Sequence, residues 1–182
     1  MQSESNREKM EEDIIMKLST KFNVNGEDYE ADVDSASTSL ASVLRDTLGF
    51  TGVKRGCDNG GCGVCTVILD GEAVYSCMTL FWQAEGKKIT TIEGIHGEDS
   101  NELDPLQEAF VRNSAPQCGY CTPAMVLAGK ALLDSKEIPS EDEIRDALCG
   151  VLCRCTSYTP YIKSILEVAA KRTKEEEGGR QE

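Results

Sequence analysis

The stretch Cys57-Asp58-Asn59-Gly60-Gly61-Cys62-Gly63-Val64-Cys65, followed by Cys77, decides the fold of this chain. Its spacing, C-x4-C-x2-C with a fourth cysteine downstream, is that of a plant-type loop around a [2Fe–2S] cluster. An oxidised cluster with four thiolates carries a formal charge of about −2, so its sulfurs need backbone N–H donors. Gly60, Gly61 and Gly63 let the loop curl that closely, since glycine accepts positive φ and has no Cβ to hold the amides away. Cys77 is expected at the end of the strand that pairs with the one starting at Cys65. A structural zinc site is the competing reading, although such sites usually draw on paired short knuckles. A Rieske centre needs two histidines, and His96 is the only one. In its polar loop His96 reads as a surface residue.

Outward from this loop, residues 14–33 (IIMKLSTKFNVNGEDYEADV) read as two strands around the turn dipeptide Asn25-Gly26. Leu40, Val43, Leu44 and Leu48 then share one stripe of a short helix that ends before Gly52. Strand character returns in Thr66–Leu69, turns at Asp70-Gly71, resumes through Ala73–Tyr75, and closes with a short strand at Lys88–Ile92. These elements predict a small mixed sheet wrapped over one helix.

After Gly94 the texture changes. Leu103, Leu106 and Phe110 share a helical spacing, as do Ile144, Ala147 and Leu148, and again Ile162, Ile165, Leu166 and Ala169. With the apolar stretch Pro123–Leu133 as the central buried helix, they predict a four-helix bundle. Thr122-Pro123 and Thr159-Pro160 read as hydroxyl-capped helix starts, and Ser140 to Glu143 as a capping box. The fold class is therefore α+β. Residues 1–12 are a charged N-terminal extension, 13–94 the sheet domain, 95–172 the helical domain, and 173–182 a charged tail containing Glu175-Glu176-Glu177. Both ends are expected to be mobile.

A second cysteine set lies in the helical half. Cys118-Gly119-Tyr120-Cys121 and Cys153-Arg154-Cys155 each precede a Thr-Pro helix start. If those helices run side by side, four thiolates meet at one end of the bundle, where the positive helix ends favour an anionic cluster. Alone, Cys118 and Cys121 also fit a thioredoxin-type redox pair, but no βαβ pattern surrounds them. Cys149 is left over, and its place beside Leu148 suggests a buried spare thiol.

Across 182 residues, 32 acidic against 19 basic side chains leave a formal charge of −13, which repels nucleic acid and anionic membranes. No apolar run approaches the roughly 18 residues of a membrane span. The polar start MQSESNREKMEED lacks the apolar core of a signal peptide, so the expected location is the cytoplasm. There, an odd count of nine cysteines argues against disulfides and for metal ligation.

With both cysteine sets placed, the chain resembles the small iron–sulfur subunit of the xanthine dehydrogenase and aldehyde oxidoreductase family, the molybdenum hydroxylases. The resemblance covers about residues 13–170. It is carried by Gly56 to Thr66, by Gln117-Cys118-Gly119-Tyr120-Cys121-Thr122-Pro123 and by Leu152-Cys153-Arg154-Cys155. It implies a β-grasp plant-type ferredoxin domain followed by an all-α four-helix-bundle domain, each holding one [2Fe–2S] cluster. It also implies that Gln117 and Cys155 lie against the pterin of a molybdopterin cofactor, bound mainly by a large partner subunit. Electrons would pass from molybdenum through the helical-domain cluster to the β-grasp cluster, and on to an FAD subunit or another acceptor. Val151 and Ser157 depart from the Asn and Gly frequent in the family, which leaves the ligands in place and alters the hydrogen bonding between Cys153 and Tyr158.

The chain carries no dinucleotide fingerprint and is too short to hold a molybdenum domain as well. It is thus expected to be part of an oxidoreductase without being catalytic alone. A freestanding two-cluster electron carrier is the rival class, against which Gln117 and the second cysteine set argue. The resemblance leaves the choice among purines, aldehydes, carbon monoxide, nicotinate and aromatic thioesters to the large subunit.

Overall fold

The computed structural model describes residues 18–99, 101–156 and 158–179, with side chains described as far as residue 173. Strands β1 (Leu18–Val24) and β2 (Glu27–Val33) form an antiparallel hairpin with Val24 opposite Glu27. Asn25 and Gly26 both take left-handed φ, 54° and 91°, the turn whose twist matches that of the flanking strands. β3 (Thr66–Leu69) and β4 (Glu72–Tyr75) repeat the device at Asp70 and Gly71, with φ of 50° and 92°. β5 (Lys88–Thr90) lies between the hairpins, parallel to β1 and antiparallel to β3, giving the order β2-β1-β5-β3-β4.

The segment after β2 is less regular than its stripe predicts. One α-helical turn, α1 (Leu40–Ser42), passes into a π-helical turn, Val43–Thr47, and Gly49 at φ 82° ends it. Leu40, Val43 and Leu44 are fully buried against Phe22, Val24, Val67, Phe81 and Ile89, and Leu48 is partly buried at the edge of this core.

Four helices follow: α2 (Pro105–Arg112), α3 (Thr122–Ser135), α4 (Glu141–Cys149) and α5 (Thr159–Gly179). Asp104 caps α2 and Ser140 caps α4, each within a reciprocal box with Gln107 or Glu143. Three readings need correction. Leu103 precedes the Asp104 cap, so it lies outside α2 and is exposed. Cys121, already in helical φ/ψ, stands at the cap of α3 without a side-chain cap bond, so Thr122 is inside the helix. Likewise α5 begins at Thr159 itself, and it runs on to Gly179, into the stretch read as tail. The N-terminal extension and the last residues of the tail lie outside the described residues.

α3 is buried nearly all round, from Ala124 to Gly129 and at Ala131 and Leu133. One side packs on α2, α4 and α5. The other meets the sheet, where Ile68 of β3 is buried with Leu127 and Ala131. β3 is therefore covered on both faces, Val67 turned toward the α1 core and Ile68 toward α3, which accounts for its unbroken apolar run Val67-Ile68-Leu69. Among the described residues, no helix is long and apolar enough to cross a membrane.

Candidate metal centres

The first cysteine loop is shaped by left-handed residues at Asp58, Gly60 and Gly63, with φ of 53°, 78° and 65°. Gly61 is not left-handed, contrary to its expected role. It contributes closeness instead, since a Cβ there would lie 4.0 Å from Cys57 Sγ and 3.3 Å from Asn59 Oδ1. The amide of Asn59, then the Cys62 side chain, then the amides of Cys62 and Gly61 stabilise the Cys57 thiolate and lower its pKa to about 7. That is a nest of N–H donors around a sulfur. Cys65, fully buried at the head of β3, is pushed up to about 11 by its burial.

Cys77 lies two residues beyond β4 rather than on it. Ser76 holds it beside Cys65, for its amide and its hydroxyl both donate to the Cys65 carbonyl oxygen, at 3.3 and 2.6 Å. Ser76 is fully buried. Sequence reading missed it, because a serine between a strand and a cysteine carries no signal until the strand pairing is known.

In the helical half, Cys121 and Cys153 are the inner pair, and Cys118 and Cys155 are exposed. Burial pushes Cys121 up to about 11, whereas the Tyr120 amide, then the Cys155 side chain, lower the exposed Cys118. Tyr158 closes the second loop: its hydroxyl accepts from the Cys153 amide at 2.9 Å and donates to the Val151 carbonyl at 3.1 Å. Ser157 lies outside the described residues. Val151 is buried, so the loop's bonds run through its backbone and Tyr158. Cys149 is exposed, its thiol donating to the Asp146 carbonyl at 3.0 Å. The expected burial fails because α4 turns Ile144 and Leu148 inward, and the next residue is rotated about 100° away from that stripe.

The eight remaining cysteines meet in twos. Cys62 acts on the Cys57 thiol, Cys77 on that of Cys65, Cys155 on that of Cys118, and Cys153 on that of Cys121, so the members of each pair are close neighbours. Among the described residues, no three metal-ligating side chains converge on a point as a single ion would need. Two pairs per site is the donor set of a two-iron cluster, each iron taking two thiolates beside its bridging sulfides. A cavity of about 330 Å³ is lined by Cys57 and Cys62 of the first set and by Cys118, Cys121, Cys153 and Cys155 of the second.

Known proteins agree on both halves. The family described as "2Fe-2S iron-sulfur cluster binding domain" matches residues 22–91, and that described as "[2Fe-2S] binding domain" matches residues 91–166. The nicotine 6-hydroxylase small subunit of Paenarthrobacter nicotinovorans is 42% identical over 79% of this chain and 85% of its own length. A probable xanthine dehydrogenase subunit of Bacillus subtilis is 40% identical over 92% of both chains. The chain belongs to the small iron–sulfur subunits of the xanthine dehydrogenase and aldehyde oxidoreductase family. Among solved structures, quinoline 2-oxidoreductase from Pseudomonas putida 86 superposes with a TM-score of 0.79 at 39% identity, covering 87% of this subunit and 97% of that chain. An iron–sulfur subunit of this kind takes one [2Fe–2S] cluster in its β-grasp domain and one in its helical domain.

Three hydrogen bonds tie the two cluster loops of the subunit together. Leu152 N donates to the Cys62 carbonyl at 2.8 Å, Tyr75 Oη to the Gly150 carbonyl at 3.0 Å, and Tyr120 Oη to the Arg55 carbonyl at 2.6 Å. Gln117 is exposed and next in sequence to Cys118, which lines the cavity together with Cys155, Leu152 and Tyr120. His96 is exposed, as expected.

Proposed function

We propose that this chain is the electron-relay subunit of a molybdenum hydroxylase, with Cys57, Cys62, Cys65 and Cys77 holding one [2Fe–2S] cluster and Cys118, Cys121, Cys153 and Cys155 the other. The observation that carries the reading is the neighbouring of eight cysteines as four pairs, in loops that a common cavity and a backbone hydrogen bond join. When bound, the two clusters supply one-electron carriers between a two-electron site and an acceptor. The chain's residues set the conditions for that. Amides of Asn59, Gly61 and Cys62 neutralise sulfur charge, Val64 and Val151 exclude water between the sites, and Ser76 and Tyr158 fix the cysteine loops.

The exposed rim of Gln117, Cys118 and Cys155 is where we place the large molybdopterin-binding subunit, since these residues are open to a partner while Cys121 is buried. The Gln117 amide offers one donor group and one acceptor to a heterocycle edge. An FAD subunit or another acceptor would draw electrons from the Cys57–Cys77 side. The charge of −13 suits a cytoplasmic protein partner and not nucleic acid.

Metal analysis of the full chain tests the ligand set. Four irons and four acid-labile sulfides per chain are expected, two of each per domain. Cys149→Ser should keep both clusters, whereas Cys62→Ser and Cys121→Ser should each lose one. Zinc in place of iron, or cluster loss in the Cys149 variant, overturns the reading. For the interface, Gln117→Ala should leave both clusters assembled and slow reduction of the helical-domain cluster by substrate in the assembled enzyme. Unchanged transfer rates would remove Gln117 from the contact.

A further inference from the structure

Tyr161 lies in the first turn of α5, and its hydroxyl sits 3.7 Å from Cys121 Sγ, just before α3. The ring is one of the largest wholly buried side chains, 1% exposed, and Cys121 is 6% exposed. Phe110 of α2 holds the ring edge-on at a centroid distance of 5.0 Å and 73°. The phenol oxygen is therefore fixed in a dry site beside the sulfur.

From this contact we infer that Tyr161 is a positioning and tuning residue of the second centre, donating an O–H···S hydrogen bond to the ligand sulfur of Cys121. The inference rests on the ligand set proposed above. A thiolate bound to iron has no proton to give, so the shared hydrogen must come from the phenol. The neighbouring alternative partner is Thr122 Oγ1, which also acts on the Tyr161 phenol but is buried and completes no hydrogen bond of normal geometry among the described residues. A donor at a cysteine sulfur withdraws charge from the centre and grows stronger when an electron arrives, so it stabilises the reduced form more than the oxidised. The same bond links the starts of α3 and α5, so the contact that sets the potential also fixes Cys121 against α5.

The potential reads the difference between the bond's two strengths, up to roughly tenfold in the equilibrium, which is about 59 mV for a one-electron couple. Reductive titration of the full, cluster-loaded chain reads this directly, following each centre's electron paramagnetic signal separately. The helical-domain signal is identified as the one lost in Cys121→Ser. In Tyr161→Phe that centre should become harder to reduce by roughly this amount, while the first centre keeps its potential. Tyr161→3-fluorotyrosine, which retains the hydroxyl and makes it a stronger donor, should move the potential the other way. That arm also decides the matter if the phenylalanine variant assembles poorly. Thr122→Val should leave both potentials in place. Unchanged potentials in both Tyr161 variants, with Cys121→Ser still losing one signal, would overturn the tuning role alone. Retention of both signals in Cys121→Ser would overturn the ligand assignment beneath it.

Discussion

The carbonyl oxygen of Cys62 accepts a hydrogen bond from the amide of Leu152 at 2.8 Å, so a cysteine of the first loop is joined to the residue preceding Cys153 of the second. The path from one sulfur to the other runs along short pieces of main chain across this single bond. The tyrosine bonds from Tyr75 and Tyr120 brace it on either side. The two centres are held as one hydrogen-bonded unit, and their separation is set by backbone rather than by flexible side chains.

Close backbone approach at this junction requires two glycines, Gly63 and Gly150, the latter because a Cβ there would lie 2.0 Å from Tyr75 Oη. A Cβ on Gly63 would lie 2.0 Å from the Gly150 carbonyl oxygen, and Gly63 is also left-handed at φ 65°. Gly71 is left-handed at 92° with nothing within 4 Å of its missing Cβ. Gly71→Ala should therefore cost only the conformational penalty, about 1–2 kcal/mol. Gly63→Ala should cost clearly more and separate the loops. Denaturation midpoints and inter-centre magnetic coupling check the pair; equal losses would mean that the junction yields without strain.

Tyr75→Phe removes one bond across the junction and keeps the ring. A partly buried bond to a carbonyl contributes about 1 kcal/mol net, so stability to urea should fall by about that much with both clusters retained. The measurement is the unfolding midpoint together with iron content, and an unchanged midpoint would show that water replaces the phenol without loss.

The turns at Asn25-Gly26 and Asp70-Gly71 were legible because two adjacent residues encode the whole local geometry. The cysteine spacing was legible for the same reason, one loop carrying three of the four thiols. Tyr75, Tyr158 and Tyr161 were not, although each governs a cysteine loop. Tyr75 acts on Gly150 and Tyr161 on Cys121, partners far along the chain that only the packing of α3 between the sheet and the other helices brings near. Leu103 misled because its spacing matches Leu106 and Phe110, yet Asp104-Pro105 starts the helix after it. A stripe of apolar residues gives the period, and the cap gives the boundary.

Ser76→Ala leaves the Cys65 carbonyl with a single, longer bond from the residue 76 amide. The buried hydroxyl bond contributes about 1 kcal/mol, and its loss loosens the Cys65–Cys77 pair. The first cluster should then bleach faster under an iron chelator, with the second unaffected. Equal bleaching of both would mean that Ser76 supports the fold generally and not that pair.

Tyr158→Phe tests the clasp on the second loop. The residue is held at a left-handed φ of 66°, a conformation that costs a non-glycine residue about 1–2 kcal/mol and persists here because its hydroxyl bonds the Cys153 amide and the Val151 carbonyl together. Without the hydroxyl, both groups lose their partner while the backbone strain remains, so the loss should reach about 1–3 kcal/mol. It should fall on the helical domain. Chelator challenge is expected to remove the second cluster's absorption well before the first, the reverse of the order expected for Ser76→Ala. If the two variants bleach the same centre, the division of labour between Ser76 and Tyr158 is wrong.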